Sequence, residues 1–198
     1  MRSARAILWG TAIAGISFAI GACGLFETRK PTKPAPPTTG CRPLTSSPTM
    51  AVIPNVEDFY GRTGGITCYS SVLDTSFVFH PDPQDSAQAL PQTPYVGWDE
   101  VVEADVNSRI ASQQDFMEVD FQFEYAPAII ATNQETRFYP YQLRVSFGGS
   151  PEILRYAGKA DITFRRGNDG QWRITDWVDH RSTVTDSTWG LLRATERP

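Results

Sequence analysis

The chain has few of the residues on which most enzyme sites depend. Its 198 residues include two histidines and three cysteines, and Lys159 is the only lysine beyond residue 50. It has no Gly-x-Ser-x-Gly elbow and no glycine-rich phosphate loop, which excludes the common serine-hydrolase and nucleotide-binding motifs. The histidines, His80 and His180, are not spaced like zinc ligands. The sequence therefore predicts no metal site and no cofactor.

The chain also lacks a basic face for nucleic acid. Residues 51–198 contain twelve lysines or arginines against twenty-one aspartates or glutamates, a net charge of −9. Proteins that bind nucleic acid usually present an excess of positive charge. Nucleic acid is therefore not an expected partner.

No apolar run is long enough to be a comfortable transmembrane helix, but a shorter run marks the N-terminus. Arg2 and Arg5 precede the fifteen-residue run 6–20, which ends in small residues and Cys23. A basic head followed by a short apolar core is typical of a secretory signal peptide. The stretch 20–23, IGAC, resembles the lipobox of bacterial lipoproteins, in which the cysteine is acylated. The resemblance implies a signal peptide over residues 1–22 and a palmitate-type lipid anchor on Cys23.

Two other interpretations of the N-terminus remain open: an ordinary secretory signal with a chance cysteine, or an uncleaved anchor. Under the lipoprotein interpretation the protein lies in the cell envelope, with the lipid bilayer as its first partner. Gly24 follows the cysteine, which resembles the signal for transfer to the outer membrane. In a Gram-negative cell the chain would then face the periplasm.

A tether follows the anchor. Residues 23–50 combine the cysteine with six prolines, many threonines and serines, and few apolar side chains. Such a composition predicts a partly extended spacer with a reach of about 30 Å. Cys41 and Cys68 form an even pair in an oxidising compartment, so a disulfide between them is possible. Cys68 is equally well explained as a small buried hydrophobic residue.

Residues 51–198 form one predicted domain in which helical patterns come before strands. Two short helical pieces lie within residues 52–75, a strand covers SFVF, and a longer helix opens at Trp98. Four segments from residue 115 to 181 then alternate apolar and polar residues with a period of two, as in an antiparallel sheet with one face in water. This order predicts an α+β fold with helices on one face of a curved sheet.

The alternation also predicts which side chains face inward. In the last strand, Trp172 and Ile174 are placed inward. The same alternation carries Asp176, Val178 and His180 inward, unless a bulge at Trp177 shifts the register.

The pattern resembles the nuclear transport factor 2-like superfamily, whose cone-shaped α+β fold includes SnoaL-type cyclases and ketosteroid isomerase. The resemblance rests on CYSSVLDTSFVF, on the helix that opens with Trp98, on the long strands and on GNDGQWRITDWVD. Uncharacterised bacterial lipoproteins of this group share a terminal WG.L.A run, here residues 189–194. The resemblance implies a curved sheet with helices on its concave face. It decides nothing about chemistry, because the superfamily contains both enzymes and binding modules.

The resemblance points to His80 as a candidate site residue. DTSFVFHP matches, without gaps, the isomerase segment that carries its catalytic aspartate, and His80 takes the place of that aspartate. A histidine there has the pKa of a general base. The isomerase's second aspartate corresponds to Asp161, which by alternation faces solvent. We predict an aromatic-lined cone with His80 on its inner lining. The full predicted ligand-binding set is His80, Tyr69, Tyr141, Asp176 and His180.

Two hypotheses of function follow. The first is a membrane-anchored envelope lipoprotein whose cone binds an apolar small molecule or an envelope protein without catalysis, with a second copy of the chain, in a homodimer, as a further candidate partner. The second is a SnoaL-type isomerase, cyclase or dehydratase that uses His80 as general base together with Asp176. The absence of a clear second catalytic group favours the first. A filled cone would favour a docking module, and a deep open cone would favour an enzyme.

Overall fold

The structure, a computed structural model, describes residues 40–61, 65–88, 95–122 and 128–197. The predicted signal peptide and the lipidated Cys23 lie outside the described residues, as does most of the tether. Within the described ranges, no helix combines the length and the apolar character needed to cross a bilayer.

Helices dominate the first part of the described chain and strands the second, as predicted. The helices are α1 (Pro48–Tyr60), α2 (Ile66–Ser71), α3 (Pro83–Gln88), α4 (Glu100–Gln113) and α5 (Trp189–Glu196). The strands are β1 (Leu73–His80), β2 (Gln114–Phe121), β3 (Ile129–Ala131), β4 (Gln134–Phe147), β5 (Leu154–Arg166) and β6 (Trp172–His180). α3, β3 and α5 have no counterpart in the sequence prediction.

The strands form one mixed sheet in the order β1-β6-β5-β4-β2, with β3 paired to β4. β1 runs parallel to β6, and the other pairs are antiparallel. β4 and β5 pair over twelve positions, from Gln134 with Arg165 to Val145 with Leu154. Such long ladders curl strongly because each strand twists, and the curled sheet encloses a concave face. The predicted α+β architecture with helices on that face is confirmed.

The concave face carries the apolar positions of the period-two pattern. Met117, Val119 and Phe121 of β2 are buried, whereas Glu118 and Asp120 between them are exposed. β4 and β5 follow the same rule, with these side chains buried: Tyr139, Tyr141, Leu143, Val145, Ala160, Ile162 and Phe164. The alternation of the sequence therefore predicts the core positions of three strands correctly.

β6 breaks the alternation at a bulge. Ile174 pairs with Phe164 and Asp176 pairs with Thr163, so Thr175 is an extra residue with no partner of its own on β5. One extra residue exchanges the two faces of the rest of the strand. Trp177 and Asp179 therefore point inward and are buried. The predicted inward placement of Asp176, Val178 and His180 is wrong for this reason, and the bulge lies two residues before the predicted position.

The described chain begins with a segment that is fastened to the domain. Cys41 and Cys68 form a disulfide, with their Cα atoms 5.1 Å apart. The backbone N–H of Arg42 donates to Asn55 Oδ1 at 2.8 Å, and Asn55 Nδ2 donates back to the Arg42 carbonyl at 3.0 Å. Leu44 is buried in the core. Of the two interpretations of Cys68, the disulfide is therefore the one that the structure contains.

Candidate functional site

The C-terminal helix, α5, lies inside the concave face of the sheet. Thr188 is its N-cap and accepts a hydrogen bond from the Leu191 N–H at 3.1 Å. Trp189, Leu192 and Arg193 share one face of the helix by their spacing, and all three are buried. The sequence left open whether the aromatic-lined cone is filled or open, and the structure has this helix inside it.

Trp189 fills the centre of the concave face. Its ring centroid is 5.0 Å from that of Trp177, 4.7 Å from Tyr60 and 5.5 Å from Tyr141, all in edge-to-face geometry. Such aromatic pairs stabilise beyond their area burial. The indole side chain therefore occupies the volume in which a small apolar ligand would have to bind.

Arg193 is a fully buried cation in the same interior. Its guanidinium carbon lies 4.5 Å from the ring centroids of Phe79 and Trp177 and 4.7 Å from that of Trp189. Nη2 lies 2.7 Å from Glu103 Oε1, and both side chains are fully buried. Burial is the largest single effect and lowers the pKa of Arg193, but Glu103 and the other polar neighbours together raise it above its ordinary value, so the residue stays cationic.

Glu103 accepts hydrogen bonds from three polar side chains around this ion pair. Its carboxylate accepts hydrogen bonds from the Tyr69 hydroxyl, from Asn107 Nδ2 at 2.9 Å and from Trp98 Nε1 at 2.7 Å. The Tyr60 hydroxyl donates to Asn107 Oδ1. Burial, and then the charge of Glu103, raises the pKa of Tyr69 well above its ordinary value. These partners satisfy the buried carboxylate and leave it few free lone pairs for a ligand.

Asp179 is a second buried carboxylate, and it binds the start of α5. It accepts from the Tyr141 hydroxyl at 2.7 Å and from the Gly190 N–H at 2.6 Å. The Tyr141 hydroxyl in turn accepts from the Trp189 N–H at 2.8 Å. Burial raises the pKa of Asp179 from its ordinary value to about 6. The carboxylate thus satisfies an amide at the helix N-terminus that has no partner inside the helix.

A third acidic side chain, that of Asp85, binds the segment that precedes α5. Asp85, on α3, accepts hydrogen bonds from the Thr188 hydroxyl and from Arg181 Nη2. Arg181 Nη1 also donates to the Asp186 carbonyl at 2.8 Å. The chain from β6 to α5 is therefore held to α3 at the end of the sheet where β1 and β6 end.

The five predicted ligand-binding residues do not come together. Tyr69 and Tyr141 are buried in the interior polar network. His80, Asp176 and His180 lie on the outer face of the sheet. The structure therefore separates the predicted set into two groups on opposite faces.

His80 faces outward because Phe77 and Phe79 take the inner positions of β1. Its side chain is 52% exposed, and its Nε2 atom lies 4.0 Å from Asp176 Oδ1. The prediction that His80 lines the interior is wrong. The gapless match to the isomerase segment favoured the inner face for His80, whereas alternation alone allowed either face of β1. Phe77 and Phe79 take the inner face because burying their side chains lowers the free energy more than burying His80 would. As a residue for a ligand on the outer face, His80 stays a prediction.

His180 also has an aspartate beside it on the outer face. Its Nε2 atom lies 2.9 Å from Asp161 Oδ2. Asp161 is therefore on the water-facing side, as alternation predicted, and it has no place in an interior acid site.

Sequence reasoning missed the charged groups that the interior contains: Glu103, Asp179 and Arg193. Glu103 lies on the buried face of α4 with Val106 and Ile110, and Asp179 reaches the interior only because of the Thr175 bulge. Arg193 belongs to the WG.L.A run, in which the spacing of Trp189, Leu192 and Arg193 was a helical signal available in the sequence.

Comparisons with known proteins bear on the fold. No protein-family model matches the chain, and no curated protein matches it in sequence. A solved structure from Novosphingobium aromaticivorans, assigned as an aromatic ring hydroxylase, is similar with a TM-score of 0.54 and 10% identity over 72% of this chain and 94% of that one. A protein from the same organism assigned as a scytalone dehydratase gives a TM-score of 0.51 and 6% identity over 72% and 93%.

A conserved protein from Planctomyces limnophilus is similar as well, with a TM-score of 0.53 and 15% identity over 64% of this chain and 88% of that one. At such identities these likenesses show the fold alone. The domain shares with these solved structures an α+β fold of a curled sheet with helices on its concave face, which is the fold that the sequence resemblance implied.

Proposed function

We propose that the chain is an envelope lipoprotein, held to the membrane through acylated Cys23, whose cone domain is a non-enzymatic module that docks another protein. One observation carries the second half of this proposal: α5 fills the concave face, with Trp189 and Arg193 fully buried there. Within the described residues, α5 occupies the centre of the concave face, where a substrate of an open cone would bind. We therefore expect the partner protein to bind the outer surface of the domain.

The interior contacts support a stable plug rather than a loosely held lid. α5 is fastened at its start by Asp179 and Tyr141 and along its length by the ion pair of Arg193 with Glu103. Removing the helix would break these contacts and would expose the apolar side chains of Trp189 and Leu192 to water, which costs several kcal/mol. The closed state is therefore the expected resting state.

The outer face of the sheet is the surface that remains for docking. It presents two histidine–aspartate pairs, His80 with Asp176 and His180 with Asp161. Val78, 40% exposed, lies beside the first pair. A mixed polar and apolar surface of this kind is typical of a protein interface, which is about as apolar as the rest of a protein surface.

The anchor is tested by replacing Cys23 with serine. We expect the variant to leave the membrane fraction and to lose labelling by a clickable palmitate analogue, because two or three acyl chains are what hold a lipoprotein in the bilayer. The matched control is the double variant Cys41→Ser/Cys68→Ser, which also removes cysteines but should keep the label. A Cys23→Ser chain that remains labelled and membrane-bound contradicts the anchor.

An acid–base enzyme of the dehydratase or isomerase class is the alternative, and one observation favours it. Asp179 is a buried carboxylate with its pKa raised to about 6, next to the Tyr141 hydroxyl. Perturbed pKa values of this kind cluster at active sites. Asp179, not His80, would then be the general base, and α5 would have to leave the concave face to admit a substrate. The two proposals therefore differ in whether α5 opens.

A further inference from the structure

The tether enters the domain at one defined end of the sheet. The Trp172 N–H, at the start of β6, donates to the Leu44 carbonyl at 2.8 Å. Cys41 is bonded to Cys68 of α2, which leads into the start of β1. We call this end, where β1 and β6 begin and β5 ends, the tether end.

An exposed apolar strand lies at the same end. β3 precedes a turn whose Asn133 carbonyl accepts from the N–H of Arg166, the last residue of β5, at 2.8 Å. Ile129 is 67% exposed and Ile130 is 69% exposed. Two adjacent isoleucines with this exposure are unusual on a short edge strand, where charged residues normally discourage association.

Three arginines lie at the tether end, on β5 and β6, which are separated from the isoleucines of β3 by β4. Arg165 and Arg166 end β5, and Arg165 stands directly opposite Arg173 in the ladder with β6. Asp74 and Asp169 offset two of the three charges. Like charges placed opposite each other cost free energy, so an additional anion here is favourable. The rest of the domain, with its net charge of −9 over residues 51–198, repels an anionic surface.

We propose that the tether end docks on the anionic surface of the bilayer that anchors Cys23. Ile129 and Ile130 enter the interfacial region, and Arg165, Arg166 and Arg173 contact lipid phosphates. The proposal rests on the anchor proposed above. Sixteen residues, 24–39, separate Cys23 from the first described residue of the domain. That short span keeps the tether end at high effective concentration near the bilayer, so a weak surface contact suffices.

Docking in this way orients the molecule. The strand ends that carry His80 and His180 are opposite to the tether end, so they point away from the membrane. The outer face of the sheet is then roughly perpendicular to the bilayer plane and is accessible to a partner in the envelope.

The test reads the membrane depth of a spin label at each end of the sheet. The mature acylated chain is reconstituted in vesicles of phosphatidylethanolamine and phosphatidylglycerol. Nitroxides are attached through Thr132→Cys at the tether end or Ser150→Cys at the opposite end, two exposed turn positions. Because Cys41 and Cys68 are paired and Cys23 is acylated, each introduced cysteine is the only free thiol. The measured quantity is the accessibility of each label to oxygen divided by its accessibility to a water-soluble nickel complex. We expect this ratio to be several-fold higher at position 132 than at position 150.

Variants separate docking from simple proximity to the surface. Ile129→Ser/Ile130→Ser should abolish the difference between the two labels, whereas Ile153→Ser, a matched apolar residue 48% exposed near the other end, should leave it intact. Replacing phosphatidylglycerol by phosphatidylcholine should weaken it several-fold. Equal, water-like accessibility at 132 and 150 overturns docking. So does a difference that survives Ile129→Ser/Ile130→Ser, or a concentration-dependent dimer that these two serines abolish.

Failure of the anchor gives a different result. If the mature chain carries no acyl group it does not float with the vesicles, which contradicts the proposed lipoprotein. Labelled chains that also carry Cys23→Ser, so that the introduced cysteine is again the only free thiol, are then added to vesicles in excess. They still report depth at position 132 if docking is correct, and water-like exposure if it is not.

Discussion

Replacing Arg193 by methionine is expected to lower the free energy of unfolding by about 3–5 kcal/mol, the cost of leaving a buried charge without its partner. Glu103 is fully buried and faces the guanidinium at 2.7 Å. Its hydrogen-bond donors, Tyr69, Asn107 and Trp98, are neutral, so they do not replace the lost charge. Methionine keeps much of the volume among the aromatic rings. The loss therefore reports the charge more than the packing.

Chemical denaturation followed by tryptophan fluorescence measures this effect, with two companion variants. Arg193→Lys keeps the charge but loses the planar stacking on three rings, so it should fall between wild type and Arg193→Met. Arg109→Met breaks an exposed pair with Asp105 on α4 and should cost less than about 1 kcal/mol. Equal stability of Arg193→Met and Arg109→Met would show that α5 does not stabilise the interior.

Reduction of the Cys41–Cys68 disulfide should lower the free energy of unfolding by about 3–4 kcal/mol in the chain-entropy model. The bond closes a loop between residues separated by 27 positions. Reduction leaves the Arg42 backbone bonds to Asn55 and the burial of Leu44 in place. The folded state should therefore persist with lower stability, because most of the effect lies in the unfolded chain.

The disulfide prediction is checked on one sample with and without a phosphine reductant. Alkylation of the denatured chain should add two more groups after reduction than before it. Cys41→Ala/Cys68→Ala is the control, and its stability should not respond to the reductant. Two alkylated thiols in the unreduced chain would contradict the bond.

The strands with simple alternation were predictable from the sequence, and the site was not. In β2, β4 and β5 the apolar positions that recur with a period of two face the core because the other face of the sheet is in water. In β6 a single extra residue, Thr175, exchanges the faces. Nothing local in the sequence marks Thr175 as the extra residue, so simple alternation places Asp176 inward and leaves Asp179 on the other face.

The parallel pairing of β1 with β6 was equally hidden, because it joins strands far apart in the chain through contacts that no local period encodes. α5 is different. Its N-cap threonine and the helical spacing of its buried face were both visible at residues 188–193. The terminal motif was instead interpreted only as a mark of family resemblance. The closing helix decides between the two forms of the cone that the sequence left open. It makes the cone a filled one, which favours a docking module.

The closed cone is tested most directly by native-state hydrogen exchange of the α5 amides in the full mature chain. The Trp189 and Gly190 N–H groups donate to Tyr141 and Asp179 inside the fold. The closed cone predicts that they exchange only through global unfolding, as slowly as the Leu143 amide at the centre of the sheet. Exchange at Trp189 and Gly190 that is orders of magnitude faster than at Leu143 would mean that α5 leaves the cone while the sheet stays folded. That result would contradict the filled-cone docking module and favour an enzyme that opens to admit its substrate.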